Sequence, residues 1–356
     1  MMFGIGSTRG IHKINEFMFR KVLLLAILGF LVIGIVLFMD FYDYTHKSVA
    51  IGDDTFAYEV QPGTTFQQLA NDLHARGVIS KPFYWAALAR LQNKAHKIKA
   101  GLYRFEESLT PVDLLDRFVG GKTVQFSLTI PEGWTYKQLL EAINTHPQIT
   151  PTLTDGAKVM EQLGRADEHP EGWFYPDTYQ FPKGTTDIDF LSRSHKIMET
   201  RLHEEWESRS EGLPLKTPYE ALTLASIVEK ETGVSEERSL IAAVFISRLK
   251  KGMPLQTDPT VIYGLGDDYD GNIRYRDLRR DTPYNTYLHK GLPPTPIAMP
   301  GGDALRAVLH PANTRALYFV AKGDGSHQFS ETYAEHRKAV IAYQLKGDKR
   351  RYRARK

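Results

Sequence analysis

The chain has 356 residues, 42% of them hydrophobic and 24% charged, and it contains no cysteine. The length suggests two or three domains, the composition excludes a wholly disordered chain and a polytopic channel, and without cysteine there is no disulfide, thiol nucleophile or thiolate metal cage. The net charge of +3 hides a division: residues 1–21 carry +3 and residues 346–356 carry +6, which leaves −6 for the body between them, and a mildly acidic body argues against a nucleic-acid binder.

Residues 22–39 form an uncharged apolar run, followed by Phe41 and Tyr42. At ~1.5 Å per residue such a helix crosses a bilayer of ~30 Å. Lys and Arg precede the run, and Asp40, Asp43, Asp53 and Asp54 follow it. The positive-inside rule then predicts a single-pass anchor over 22–42, with residues 1–21 in the cytoplasm and the remainder outside. A cleaved signal peptide and a buried core helix are the competing readings. Residues 43–55 read as a polar tether, and the lack of cysteine fits the outside of a bacterial inner membrane.

A small unit over residues 56–122 is predicted next. Val60-Gln61-Pro62-Gly63 reads as a strand end and turn, and apolar spacing at 66, 69, 70 and 73 predicts a helix that Gly77 stops. A second helix is expected from Pro82 to Leu91, a short strand over 100–105, and a third helix opening at Thr110-Pro111 and stopped by Gly120-Gly121. This unit resembles the LysM-like fold, a small module often associated with glycan binding. Ile130-Pro131-Glu132-Gly133-Trp134-Thr135-Tyr136 then repeats the opening device of strand, glycine turn and threonine. The repeat marks either a second module start or a convergent strand-to-helix turn.

Residues 123–345 form the larger unit. The aromatic stretch 171–182 (EGWFYPDTYQFP) reads as a constrained loop, either a packed wall or a face that stacks on sugars. A long polar-faced helix is expected over 187–210. Thr217-Pro218-Tyr219-Glu220 is a capping-box start for another helix, which Gly233 ends. On it Leu222, Ala225, Ser226 and Glu229 share one stripe. A carboxylate there is partly desolvated, which raises its pKa and suits a general acid; the alternative is a structural ion pair with a base. Glu231 lies ~200° further round and cannot reach the same point. Gln256, Thr257 and Asp258 form a polar loop cluster, Tyr284 and Asn285 belong to a second, and residues 291–297 to a third. A core strand at 317–321, a tight turn, and a helix from Tyr333 to about Leu345 close the fold.

Taken together, Leu224-Ala225-Ser226-Ile227-Val228-Glu229-Lys230-Glu231-Thr232, Leu255-Gln256-Thr257-Asp258-Pro259-Thr260, Tyr284-Asn285-Thr286-Tyr287, Gly291-Leu292-Pro293-Pro294 and the Glu171–Tyr179 stretch resemble the YceG-like family of endolytic murein transglycosylases. The resemblance covers roughly residues 22–345. It implies an α+β chain made of a transmembrane helix, a small LysM-like α/β module and a larger mixed α+β catalytic domain. It implies a lyase that cuts the β-1,4 bond between N-acetylmuramic acid and N-acetylglucosamine within nascent strands, leaves 1,6-anhydro ends and so terminates elongation. It assigns catalysis to Glu229, with Gln256, Asp258, Tyr284 and Asn285 around the substrate and Glu171 and Tyr179 on the cleft wall. No metal and no organic cofactor are implied. The implied partners are peptidoglycan strands and, in the same membrane, penicillin-binding proteins. The rival readings are a hydrolase using Glu229 with Asp258 or Glu231, a non-catalytic wall scaffold, and a metal site from His289, His310, His327 and His336, whose spacing matches no zinc motif.

Overall fold

The structure, a computed structural model, describes residues 8–49, 56–105, 109–346 and 348. The first seven residues of the predicted cytoplasmic stretch, residues 50–55 of the tether and most of the basic tail lie outside the described residues. The chain divides into two compact units, Met1–Gln125 and Phe126–Lys356.

Helix α1 (Thr8–His46) contains one stretch, Met18–His46, long and apolar enough to cross a membrane. Its side chains are exposed from residue 18 to residue 40. The helix continues through residues 43–46, where the sequence reading expects a tether. Local contacts explain the extension: the His46 ring stacks on Tyr42 at 4.0 Å, and Tyr44 is buried against Tyr84. Asp40 meets Lys81 Nζ at 2.6 Å and accepts the Tyr84 hydroxyl at 2.8 Å, so the end of α1 docks on the module that follows.

In that module β1 (Phe56–Val60) pairs antiparallel with β2 (Gly101–Phe105), in register from Phe56 opposite Phe105 to Val60 opposite Gly101. Helices α2 (Phe66–Ala75), α3 (Pro82–Leu91) and α4 (Pro111–Gly120) complete it. Thr65 with Gln68, and Thr110 with Asp113, form capping boxes that satisfy the first backbone N–H groups of α2 and α4. Leu69, Leu73, Trp85, Leu114 and Phe118 fill the core. Each such side chain contributes about 1.5–3 kcal/mol by leaving water.

The second unit opens with β3 (Gln125–Thr129), followed by α5 (Tyr136–Thr145), whose Thr135–Gln138 capping box reproduces that of α2. The repeated strand–turn–helix device is therefore present twice, once in each unit. Next come β4 (Ile149–Thr150), α6 (Val159–Gln162), β5 (Thr178–Pro182) and β6 (Thr185–Thr186). Strand β3 pairs with β5, and β4 runs parallel to β6. The aromatic stretch is thus a loop only up to residue 177. Trp173, Phe174, Tyr179 and Phe181 are all buried, so for these four the packed-wall reading holds.

Four helices carry the centre: α7 (Asp187–Glu207), α8 (Pro218–Glu231), α9 (Ser235–Lys250) and α11 (Gly302–Leu309), with α10 (Asp258–Leu265) beside α8. Helix α11 packs against α8 and α9, and α7 packs against α8 and α11. Residues 221–228 of α8 are buried without a break. A helix apolar all round belongs in the interior, so α8 has no single buried stripe, and a stripe cannot single out one carboxylate on it. The antiparallel pair β7 (Tyr318–Ala321) and β8 (His327–Ser330), with α12 (Tyr333–Tyr343), closes the unit.

Candidate active site

The unbroken burial of α8 ends at Val228; Glu229 and Glu231 are half-buried and Lys230 is exposed. Glu231 lines a cavity of about 390 Å³ together with Gln256, Asp258, Tyr287, Arg248 and His327, under a cover from β7 and α12. The loop that supplies Gln256 and Asp258 is held from two sides. Buried Arg248 donates from Nε to the Leu317 carbonyl at 2.8 Å and from Nη1 to the Leu255 carbonyl at 2.7 Å. Thr286 accepts from the Gln256 N–H through its carbonyl at 3.1 Å, and from the Thr257 N–H through its hydroxyl at 3.2 Å. Between these anchors Gln256 adopts φ +53°, a left-handed conformation that few non-glycine residues take. Such strain persists only where surroundings impose it, and it tends to gather at functional sites.

Asp258 opens α10, and its Oδ1 accepts the Tyr287 hydroxyl at 2.6 Å. Burial and the neighbouring Asp258 push the Tyr287 phenol well above its ordinary value, so it stays protonated. Glu231 accepts the Thr257 hydroxyl. Surrounding protein raises its pKa to about 7; Asp258 adds to the rise, while the Thr257 hydroxyl, His327 and Arg248 oppose it. Glu231 is nonetheless not sealed, since it forms part of the cavity wall. A carboxyl with this affinity can hold a proton at neutral pH and give it to a bound group. His327 is fixed by Glu237, which it meets through Nδ1 at 2.7 Å and through its backbone N–H at 2.9 Å.

Comparison with known proteins matches the YceG-like family over residues 58–342. The chain belongs to the YceG-like family. It is 31% identical over 308 residues to the endolytic murein transglycosylase of Bacillus subtilis strain 168, covering 81% of this chain and 85% of that relative. It is 28% identical over 323 residues to the endolytic murein transglycosylase of Streptococcus pneumoniae serotype 2, covering 80% of this chain but only 57% of the pneumococcal one. A crystal structure of a YceG-like protein from Listeria monocytogenes superposes with a TM-score of 0.52 at 28% identity, covering 81% of this chain and 99% of that one.

Within this YceG-like unit the residues expected around one substrate separate into several places. Gln256 and Asp258 share the cavity with Glu231; Glu229 is not among its lining residues. Glu229 turns instead to the start of α11, where Oε2 accepts the Gly301 N–H at 2.9 Å and Oε1 lies 3.4 Å from Arg238. Burial raises its pKa, with Glu132 and Asp303 adding to the rise and the Gly301 N–H and Arg238 opposing it. Arg238 also binds Asp303 at 3.1 Å and Glu132 at 3.5 Å. A side chain at Gly301 would collide with the Glu132 carboxylate. This cluster links α8, α9 and α11 around the Glu229 carboxyl.

The other four expected residues make contacts within the protein. Asn285 is fully buried; its amide donates to the carbonyls of Leu278 at 3.1 Å and Arg280 at 2.8 Å, and its oxygen accepts the Tyr287 N–H at 3.0 Å. No donor remains on Asn285 for a sugar, but it sets the position of Tyr287. Glu171, 2% exposed, accepts the Tyr136 N–H at 2.9 Å and the Tyr263 hydroxyl at 3.0 Å; burial raises its pKa to about 7. Tyr179 is buried edge-on against Phe190, and its hydroxyl donates to the Tyr175 carbonyl. Tyr284 is half-buried, edge-on to Tyr263 at 4.8 Å, with its hydroxyl 2.9 Å from that of Thr295.

Glu231, which the sequence reading placed only in the rival hydrolase, is the α8 carboxylate that lines this cavity. Tyr287, the last residue of the YNTY string, and Arg248 also line the cavity, and the sequence reading gave neither a role there. Of the four histidines weighed for a metal, His289 pairs with Asp281, His310 with Glu205 and His327 with Glu237, while His336 stacks on Tyr318. Among the described residues no group of three or more potential ligands stands close enough to hold a metal ion.

Proposed function

We propose that this chain is a membrane-anchored endolytic murein transglycosylase whose proton-transferring residue is Glu231. The observation that carries the reading is a carboxyl with a pKa near 7 on the wall of an open polar cavity, in a YceG-like chain whose curated relatives bear that activity in their names.

In this reaction protonated Glu231 gives its proton to the glycosidic oxygen as the C1–O bond of N-acetylmuramic acid breaks. The C6 hydroxyl of the same sugar then attacks C1 and returns its proton to the Glu231 carboxylate. No water is consumed, and the residue ends as it began. A second carboxylate to activate water, as hydrolytic glycosidases use, is not required. Because the nucleophile belongs to the substrate, holding the ring in place supplies much of the rate. Gln256, Asp258 and Tyr287 are the groups available to hold the N-acetyl and hydroxyl groups and to face the positive charge that develops at C1.

The same reading assigns α1 to the inner membrane with its N-terminus in the cytoplasm, supported by the Lys and Arg before the apolar run and the aspartates after it. It assigns residues 56–122 to a LysM-like module and makes penicillin-binding proteins the expected partners. Mass spectrometry of the products from long uncrosslinked glycan tests the core of it. The wild type should give ends lighter by one water than hydrolysed ones, Glu231→Gln should give no product, and Glu229→Gln should still cut. Hydrolysed ends would make the chain a hydrolase, and a fully active Glu231→Gln would overturn the residue.

A further inference from the structure

The module on which α1 ends has a surface that its own core does not use. Between Asp72 and Glu106 the chain has seven Lys or Arg and no Asp or Glu. Helix α3 lies in this stretch and turns Trp85, Ala86, Leu88 and Ala89 inward. On its other side stand Phe83, 74% exposed, and Leu91, 78% exposed, with half-buried Ala87 and exposed Arg90. At 3.6 residues per turn these four occupy an arc of about 100°. Among the described residues of the module outside α1, Phe83 and Leu91 are the large apolar side chains left exposed. One exposed apolar residue is ordinary. Two on one arc of one helix, with free basic residues beside them, make the pattern of a helix lying in a membrane interface.

Charge and position both point to lipid. Arg90 and Lys97 are exposed and pair with no acid among the described residues. The acids nearby are already taken, Asp40 by Lys81 and Asp116 by Lys94. The apolar run of α1 ends at Met39, so Asp40 stands where a spanning helix leaves the hydrocarbon. Lys81 Nζ lies 2.6 Å from Asp40, and the Tyr84 hydroxyl donates to it at 2.8 Å. These two residues bracket Phe83, which places the start of α3 at the level of the headgroups. Leu91 follows two turns later, ~12 Å along the helix axis.

We propose that this face of α3 rests on the anionic lipid surface beside the anchor, with Phe83 and Leu91 set among the headgroups and Arg90 and Lys97 on their phosphates. The proposal rests on the membrane-anchor reading of α1 and deepens it: the module holds the bilayer at a second point.

The chain has no cysteine, so Phe83→Cys, Leu91→Cys and, within the anchor, Leu31→Cys each allow one fluorophore on the full-length protein. Each labelled chain is held one copy per nanodisc of equal parts phosphatidylcholine and phosphatidylglycerol. A lipid-borne nitroxide and aqueous iodide serve as quenchers. The nitroxide should quench all three labels. Three changes should each cut that quenching at residue 91 about twofold or more and leave residue 31 unmoved: phosphatidylcholine alone, Arg90→Gln with Lys97→Gln, and salt raised from about 50 mM to about 500 mM. Quenching at residue 91 that ignores lipid charge and salt overturns the anionic recognition. Labels at 83 and 91 that iodide reaches and the nitroxide does not, with residue 31 in lipid, overturn the proposal and leave the anchor intact. Labels shielded from both quenchers mark a protein cover and overturn it as well. A label at residue 31 outside the lipid overturns the anchor, and this surface with it.

Discussion

Glu171 and Glu231 are both carboxyls deep in the second unit, and burial raises each to a pKa of about 7. They differ in what faces them. Glu171 has a backbone N–H on one oxygen and a phenol on the other, and its residue is closed off from solvent. Glu231 has a threonine hydroxyl and a cavity. A shifted pKa therefore marks burial, and only an opening beside the shifted group makes it chemistry.

The sharpest way to break this contrast is to remove each acid in turn. Glu231→Gln should lower the cleavage rate by about 10³-fold, within the usual range for loss of a general acid–base, with the melting temperature little changed. Glu171→Gln should cut at nearly the wild-type rate, since its amide can still accept from Tyr136 and donate to the Tyr263 oxygen. The next effect concerns the support of the open site. Asn285→Ala leaves two carbonyls and the Tyr287 N–H without their partner, at a cost of about 2–3 kcal/mol in denaturant unfolding, and should raise KM because Tyr287 loses its place.

Acidity offers a finer probe. Glu231 must be protonated to start the reaction, so the rate should decline as pH rises through about 7. The stability effect of Glu171 follows from its raised folded value: between 4.5 and about 7 the folded chain holds a proton that the unfolded chain has released, so stability falls as pH rises through that window. Glu231 carries the same shift and adds an equal decline, so Glu171→Gln should lessen the fall in melting temperature from pH 5 to pH 8 and Glu171→Gln with Glu231→Gln should nearly flatten it. An unchanged fall in the single variant would show that Glu171 is not one of its sources. The smallest expected change is Tyr287→Phe, which loses the hydrogen bond to Asp258 and should cost a few-fold in rate without altering the pH profile.

Much of the fold was legible because its signals are local. Thr65, Thr110, Thr135 and Thr332 announce their helices through capping chemistry, and Gly77 and Gly121 close theirs with left-handed backbone. The end of α1 was less legible, because its extension to His46 depends on Asp40 and Tyr44 docking on residues some forty positions away. The polar cavity was half legible. Its loop strings stand out, but that Glu231 and not Glu229 lines it depends on tertiary packing around the end of α8. The amide of Asn285 reads the same in sequence whether it holds a sugar or two carbonyls of its own chain; only the completed loop decides.

The docking of α1 on its module has a mechanical side. With Asp40 held by Lys81 and Tyr84, and Tyr44 buried, the described chain has no slack at residues 40–46. The end of α1 is therefore a post on which the module is fixed, and not a leash from which it hangs.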